Sequence, residues 1–127
     1  MEPVSLVLAL ALIEYFVFGI LVGRARGRYG VEAPATTGHP VFERYHRVHQ
    51  NTLEQLVIFI PALWMFGVYV SAPVAALLGL VFIARRFVYL RGYVEDPKKR
   101  STGTFITLVA QASLLVGGAI GALLAWL

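Results

Sequence analysis

A chain of 127 residues that is 58% hydrophobic and 14% charged, with a mean hydropathy of +0.73, is too apolar for a water-soluble fold, since soluble domains average roughly 45–50% apolar and about 25% charged residues. The formal charge of +4 comes from basic residues placed beside apolar runs, a pattern that argues against a nucleic-acid partner and for roles in topology, lipid headgroups or an anionic ligand. Cysteine is absent, so disulfides, thiolate metal sites and a cysteine nucleophile are excluded, and any sulfur chemistry must come from a bound molecule.

At ~20 residues per span, the chain is expected to form one integral membrane domain over residues 1–127, an all-α four-helix transmembrane bundle. The first span is expected at 3–23. Its leading residues hold Glu2 and no Lys or Arg, and the apolar run exceeds the ~7–15 residues of a signal h-region, so it is read as a retained helix. Glu14 near its middle is a functional candidate by residue type. The preferred reading is structural, either a bond to a neighbouring helix or a protonated carboxyl, because its own helix offers no polar companion. Arg24, Arg26 and Arg28 end the span, and Gly27, Gly30, Pro34, Gly38 and Pro40 mark a loop.

The second span is expected at 42–70, with Pro61 inside it as a kink point. Arg47, Asn51 and Glu54 follow steps of four and three, so a helix places them on one face. A cation, an amide and an anion there must be partnered where the helix enters the bilayer. Spacing leaves two readings open: a network between helices, or a polar ligand. Gly67, Ser71 and Pro73 form a turn before the third span at 74–94, in which Arg86, Tyr89 and Tyr93 share a stripe. Asp96 is expected as an N-cap with Pro97 at the first helical position. Lys98, Lys99 and Arg100 then open the fourth helix, spanning 101–127, where Gly117, Gly118 and Gly121 offer close helix contact.

All 11 Lys and Arg residues fall within 24–47 and 85–100. Four spans put both regions on one side, which the positive-inside rule makes cytoplasmic, with both termini opposite. Arg26, Arg47, Asn51, Glu54, Arg86, Tyr89, Tyr93 and Arg100 then face the cytoplasmic rim. They supply forked cations for carboxylates, an anion for an ammonium and phenols for neutral groups, a set suited to a small zwitterion with more than one carboxylate. No phosphate loop or metal-ligand cluster competes. His46 and His49 lack a third ligand and are expected to be solvated surface groups. His39, in the Gly/Pro loop, carries no expectation.

The motifs Thr36-Thr37-Gly38, Phe42-Glu43-Arg44 and Arg47-x-x-x-Asn51-x-x-Glu54 resemble the signature of the MAPEG family, membrane-associated proteins in eicosanoid and glutathione metabolism. The resemblance continues through Leu63-Trp64, Gly79-Leu80-Val81, Ala84-Arg85-Arg86, Tyr89 and Gly92-Tyr93, covers residues 24–104, and is closest to the branch of cysteinyl-leukotriene synthase and microsomal glutathione transferases. It implies a homotrimer with glutathione, as co-substrate, bound in a bent form between subunits on the cytoplasmic side. Carried over by position, Arg47, Asn51, Glu54, Tyr89 and Tyr93 bind glutathione from one subunit, while Arg26 and His49 contribute from its neighbour. Arg100 matches the arginine that stabilises the glutathione thiolate. The sequence departs from the branch at three places: His49 replaces a glutamine, Gln55 a tyrosine and Gly27 an arginine.

The implied function is a glutathione-dependent membrane transferase or peroxidase acting on a lipophilic electrophile that arrives through the membrane lipid. The alternative is a non-catalytic lipid-binding scaffold, as in one branch of the family, against which the retained Arg100 argues. The orientation fits a bacterial inner membrane and an endoplasmic reticulum alike, and the short chain with its uncharged C-terminus favours the first.

Overall fold

The computed structural model describes residues 1–96 and 100–127, apart from the side chains of 100–103. Its four helices are α1 (Glu2–Tyr29), α2 (Pro40–Tyr69), α3 (Ala72–Glu95) and α4 (Arg100–Trp126). Each is long and apolar enough to cross a membrane, and no strand occurs among the described residues. The chain is therefore an all-α, multi-pass membrane protein. At ~1.5 Å per residue, the 30 residues of α2 reach about 45 Å, beyond the ~30 Å hydrocarbon layer. The surplus lets the polar N-terminal turns of α2 stand at the rim.

The helix ends refine the expected boundaries. α1 does not stop at the arginines of 24–28 but runs through them to Tyr29. Cations suit the negative C-terminal end of a helix dipole, and termination waits for Gly30, whose φ of 68° is the left-handed cap that glycine adopts readily. His39 caps α2, its Nδ1 accepting from the Val41 amide at 3.1 Å, with Pro40 at the first position. Its ring also stacks on Tyr29 at 4.0 Å, clamping the two ends of the α1–α2 loop together. Ser71 caps α3 by accepting from the Val74 amide. Asp96 is the C-cap of α3, its amide bonded to the Gly92 carbonyl, and its expected part as N-cap of α4 rests on residues outside those described. The expected Pro97 start of α4 lies outside the described residues.

α2 and α3 each pack against all three other helices, with α1 and α4 on opposite sides of that pair. The main core lies at the end remote from the arginines, where Val4, Val7, Phe59, Leu63, Phe82 and Leu114 are buried together. Phe59 and Phe82 stack at 4.0 Å, nearly parallel. Lipid is as apolar as these side chains, so close packing and not expulsion from water holds the helices together. Gly79 and Gly118 permit it: a Cβ at Gly79 would sit 2.5 Å from Val7, and one at Gly118 3.0 Å from the Phe66 backbone nitrogen.

Candidate functional site

At the basic end, helical periodicity and packing combine to build a polar junction. Arg47 and Asn51, one turn apart on α2, face Tyr89 and Tyr93, one turn apart on α3. Thr104, Phe105 and Leu108 of α4 close the third wall of a cavity of about 440 Å³. The tyrosine rings stack on each other with centroids 5.6 Å apart. A second cavity of about 500 Å³, lined by Thr36, Glu43, Arg44, His46 and Gln50, shares Arg47 and Tyr93 with the first. The two cavities thus adjoin at Arg47 and Tyr93, one with a polar lining and the other with an apolar wall on α4.

The stripe on α3 is fixed from below. Arg86 is 2% exposed, its Nη2 and Nε donating to the Thr52 hydroxyl of α2 at 2.6 and 3.2 Å. Thr52 in turn donates to the Val48 carbonyl at 2.7 Å. The guanidinium lies 4.5 Å from the Tyr89 ring centroid, so one cation both ties α3 to α2 and supports the cavity wall. Glu14 of α1 lies within Coulombic reach of Arg86, a companion supplied by another helix. Farther down, Gln111 of α4 donates to the Gln55 carbonyl at 2.8 Å and pins α4 beside the site. At the rim, Arg44 donates to the Val94 carbonyl at 3.0 Å, joining α2 to the end of α3.

Four of the expected site residues, Arg47, Asn51, Tyr89 and Tyr93, therefore line one cavity. Glu54 continues the Arg47–Asn51 face and is exposed on the outer side of α2. Among the described residues, no hydrogen bond or ion pair engages Arg47, Asn51 or Glu54. Arg26 is not among the cavity's lining residues. Its Nη1 donates to the carbonyls of Ala35 (2.7 Å) and Val31 (3.3 Å), and its guanidinium covers the Phe42 ring at 4.7 Å. His49 is not the solvated group expected: it stacks on Tyr15 at 4.5 Å and its Nε2 approaches Gly19, so it packs on α1. His46 stacks on Phe42 with centroids 6.0 Å apart. The Arg100 side chain lies outside the described residues. Among the described residues no group of three metal-ligating side chains occurs.

Thr52, Thr104, Phe105 and Leu108 were not expected at the site. The i, i+4 step from Arg100 through Thr104 to Leu108 was a usable signal, since it carries one face of α4 downward from Arg100.

The MAPEG family model matches residues 4–120. The chain is 44% identical over 119 residues to an uncharacterized protein of Synechocystis, covering 94% of this chain and 87% of the other. It is 47% identical over 104 residues to human microsomal glutathione S-transferase 2, with 82% and 71% covered. To leukotriene C4 synthase of Cavia porcellus it is 37% identical over 106 residues, with 84% and 71% covered.

Proposed function

The chain belongs to the MAPEG family, and from that premise we propose that it is a glutathione-dependent membrane enzyme, a transferase or peroxidase. The observation that carries the reading is the convergence of Arg47, Asn51, Tyr89 and Tyr93 on one cavity that ends in an apolar wall. Glutathione has two carboxylates, an ammonium, two amides and a thiol, and the residue types present answer each group. Arg47 holds a carboxylate in a charge-assisted pair. Asn51, Tyr89 and Tyr93 bond the peptide units, and Glu54 takes the ammonium. The named relatives that are a glutathione S-transferase and a leukotriene C4 synthase support the same substrate.

The site is completed by a neighbouring copy in a homotrimer. Supporting this, Glu54 is an exposed carboxylate on a membrane helix, and such a group costs several kcal/mol in hydrocarbon without a partner. Arg26 engages its own loop through one nitrogen. A guanidinium has five N–H donors, so others remain for a ligand seated on the adjacent copy.

Arg100 opens α4 one helical turn before Thr104, and Thr104 lines the cavity, which supports a role for Arg100 at the sulfur. A free thiol titrates at ~8.5, and an adjacent guanidinium lowers that value and raises the thiolate fraction at neutral pH. In conjugation, the thiol proton passes to solvent, the sulfur forms a bond to carbon, and the leaving group departs with its electron pair. In peroxide reduction the sulfur bonds to the outer peroxide oxygen, the O–O bond breaks to release an alcohol that takes up a proton, and a second glutathione then displaces water from the sulfenic acid to give the disulfide. The electrophile reaches Phe105 and Leu108 from the bilayer, and the basic end faces the cytoplasm, in a bacterial inner membrane.

The test is turnover of glutathione with an aromatic chloride in detergent micelles, for wild type and Arg100→Ala. A loss on the order of 10²-fold at neutral pH is expected for removal of one electrostatic stabiliser. Equal turnover would remove Arg100 from the chemistry. No glutathione binding at millimolar concentration would favour the non-catalytic scaffold.

A further inference from the structure

We propose that the groove between α1 and α3 at the basic end is a binding site for one anionic phospholipid. Arg24, Arg28 and Arg91 would hold its phosphate, and Leu21 with Phe87 would carry an acyl chain. Two adjoining cavities form the groove. One of about 120 Å³ is lined by Arg24, Arg28, Tyr29 and Tyr45, the other of about 390 Å³ by Phe87, Leu90, Arg91 and Val94. Leu21 and Tyr45 belong to both, so the two are one trough.

Each helix gives this groove the side opposite to its other polar face. Residues two apart on a helix differ by ~200°. Arg24 and Arg28 therefore share a face that Arg26 leaves for the α1–α2 loop. By the same step, Phe87 and Arg91 face away from Tyr89 and Tyr93, and Tyr45 faces away from Arg47. The groove is thus separate from the glutathione cavity, and the inference does not rest on the function proposed above.

Charge and depth select the occupant. Among the described residues, Arg24 and Arg91 make no hydrogen bond or ion pair, and Arg28 only lies 5.5 Å from the Tyr29 ring centroid. Glu95 at the groove's rim is one carboxylate against three cations. At ~1.5 Å per residue, Leu21 lies about 4.5 Å below Arg24 and Phe87 about 6 Å below Arg91, toward the hydrocarbon. Both are placed to meet chains while the guanidiniums meet headgroups. A zwitterionic lipid brings its own cation into this field, and a free phosphate gains nothing from the apolar floor. An anionic phospholipid satisfies both halves.

The test uses the full chain in phosphatidylcholine bilayers doped with spin-labelled phosphatidylglycerol or spin-labelled phosphatidylcholine, and reads the motionally restricted fraction of each. One arginine at an anionic surface is worth on the order of a fivefold change in association. Wild type is therefore expected to prefer phosphatidylglycerol at least fivefold, and Arg24→Gln/Arg28→Gln to lose most of that preference. If the double variant fails to fold, Arg91→Gln carries the test, with a loss of about fivefold expected. Equal selectivity in wild type and folded variants would overturn the proposal, as would no preference in wild type. Displacement of the labelled lipid by millimolar inorganic phosphate would reassign the groove to a free anion.

Discussion

The two halves of α2 have opposite jobs. From Leu56 to Phe66 its inward residues are all apolar, and Phe59, Ala62 and Leu63 have no exposed surface. From Phe42 to Gln55 the inward face mixes Phe42 and Val48 with Thr52, while the side toward the cavity carries Arg47 and Asn51 without partners among the described residues. The apolar half is satisfied within the chain. The polar half is not, and a helix that places unsatisfied groups in a membrane is poised for a ligand or another copy. Stability and binding should therefore separate along α2.

The largest expected effect is on the apolar half. Phe59→Ala removes a fully buried ring stacked on Phe82, and should lower unfolding free energy by ~3–5 kcal/mol in a denaturant titration in micelles. Glutathione affinity of the protein that remains folded should be unchanged. A matching loss of affinity would merge the two halves that the structure separates. Next is Arg47→Ala, which should leave the unfolding transition in place while weakening glutathione binding by ~1.5–3 kcal/mol, the scale of a hydrogen bond to a charged group. Thr52→Val sharpens the comparison because Thr52 sits where the halves meet. Removing the hydroxyl orphans the buried Arg86 donors, and should cost ~1–3 kcal/mol of stability and also weaken binding through Tyr89. The smallest effect is expected for Gly118→Ala, whose methyl would press on the Phe66 backbone nitrogen at 3.0 Å, about 1 kcal/mol by thermal unfolding with no change in glutathione affinity.

What could be read from the sequence follows the same division. Residues on one helix were legible because a period of 3.6 fixes which share a face. Arg86, Tyr89 and Tyr93 form the expected stripe, with contacts of 4.5 and 5.6 Å between successive groups. The spans were legible because hydrocarbon thickness sets their length. Partners on different helices were not, since spacing within α3 does not say which hydroxyl lies opposite Arg86, or that Glu14 of α1 comes within its field. His49 was misread for this reason: nothing near it in sequence announces the Tyr15 ring. Three arginines suggest an early end to α1, but cations suit a helix C-terminus and a left-handed glycine ends it. The assignment of Arg26, Asn51 and Glu54 to a glutathione site came from family resemblance. Their chemistry by itself allowed a structural network equally well.

Calorimetric titration of glutathione into the detergent-solubilised protein, repeated with the folded Arg47→Ala variant, tests the central claim most directly. Saturable binding by wild type, weakened at least tenfold in the variant as loss of a charge-assisted pair requires, is the expected result. Absence of heat at millimolar glutathione, or identical isotherms for the two proteins, would contradict it.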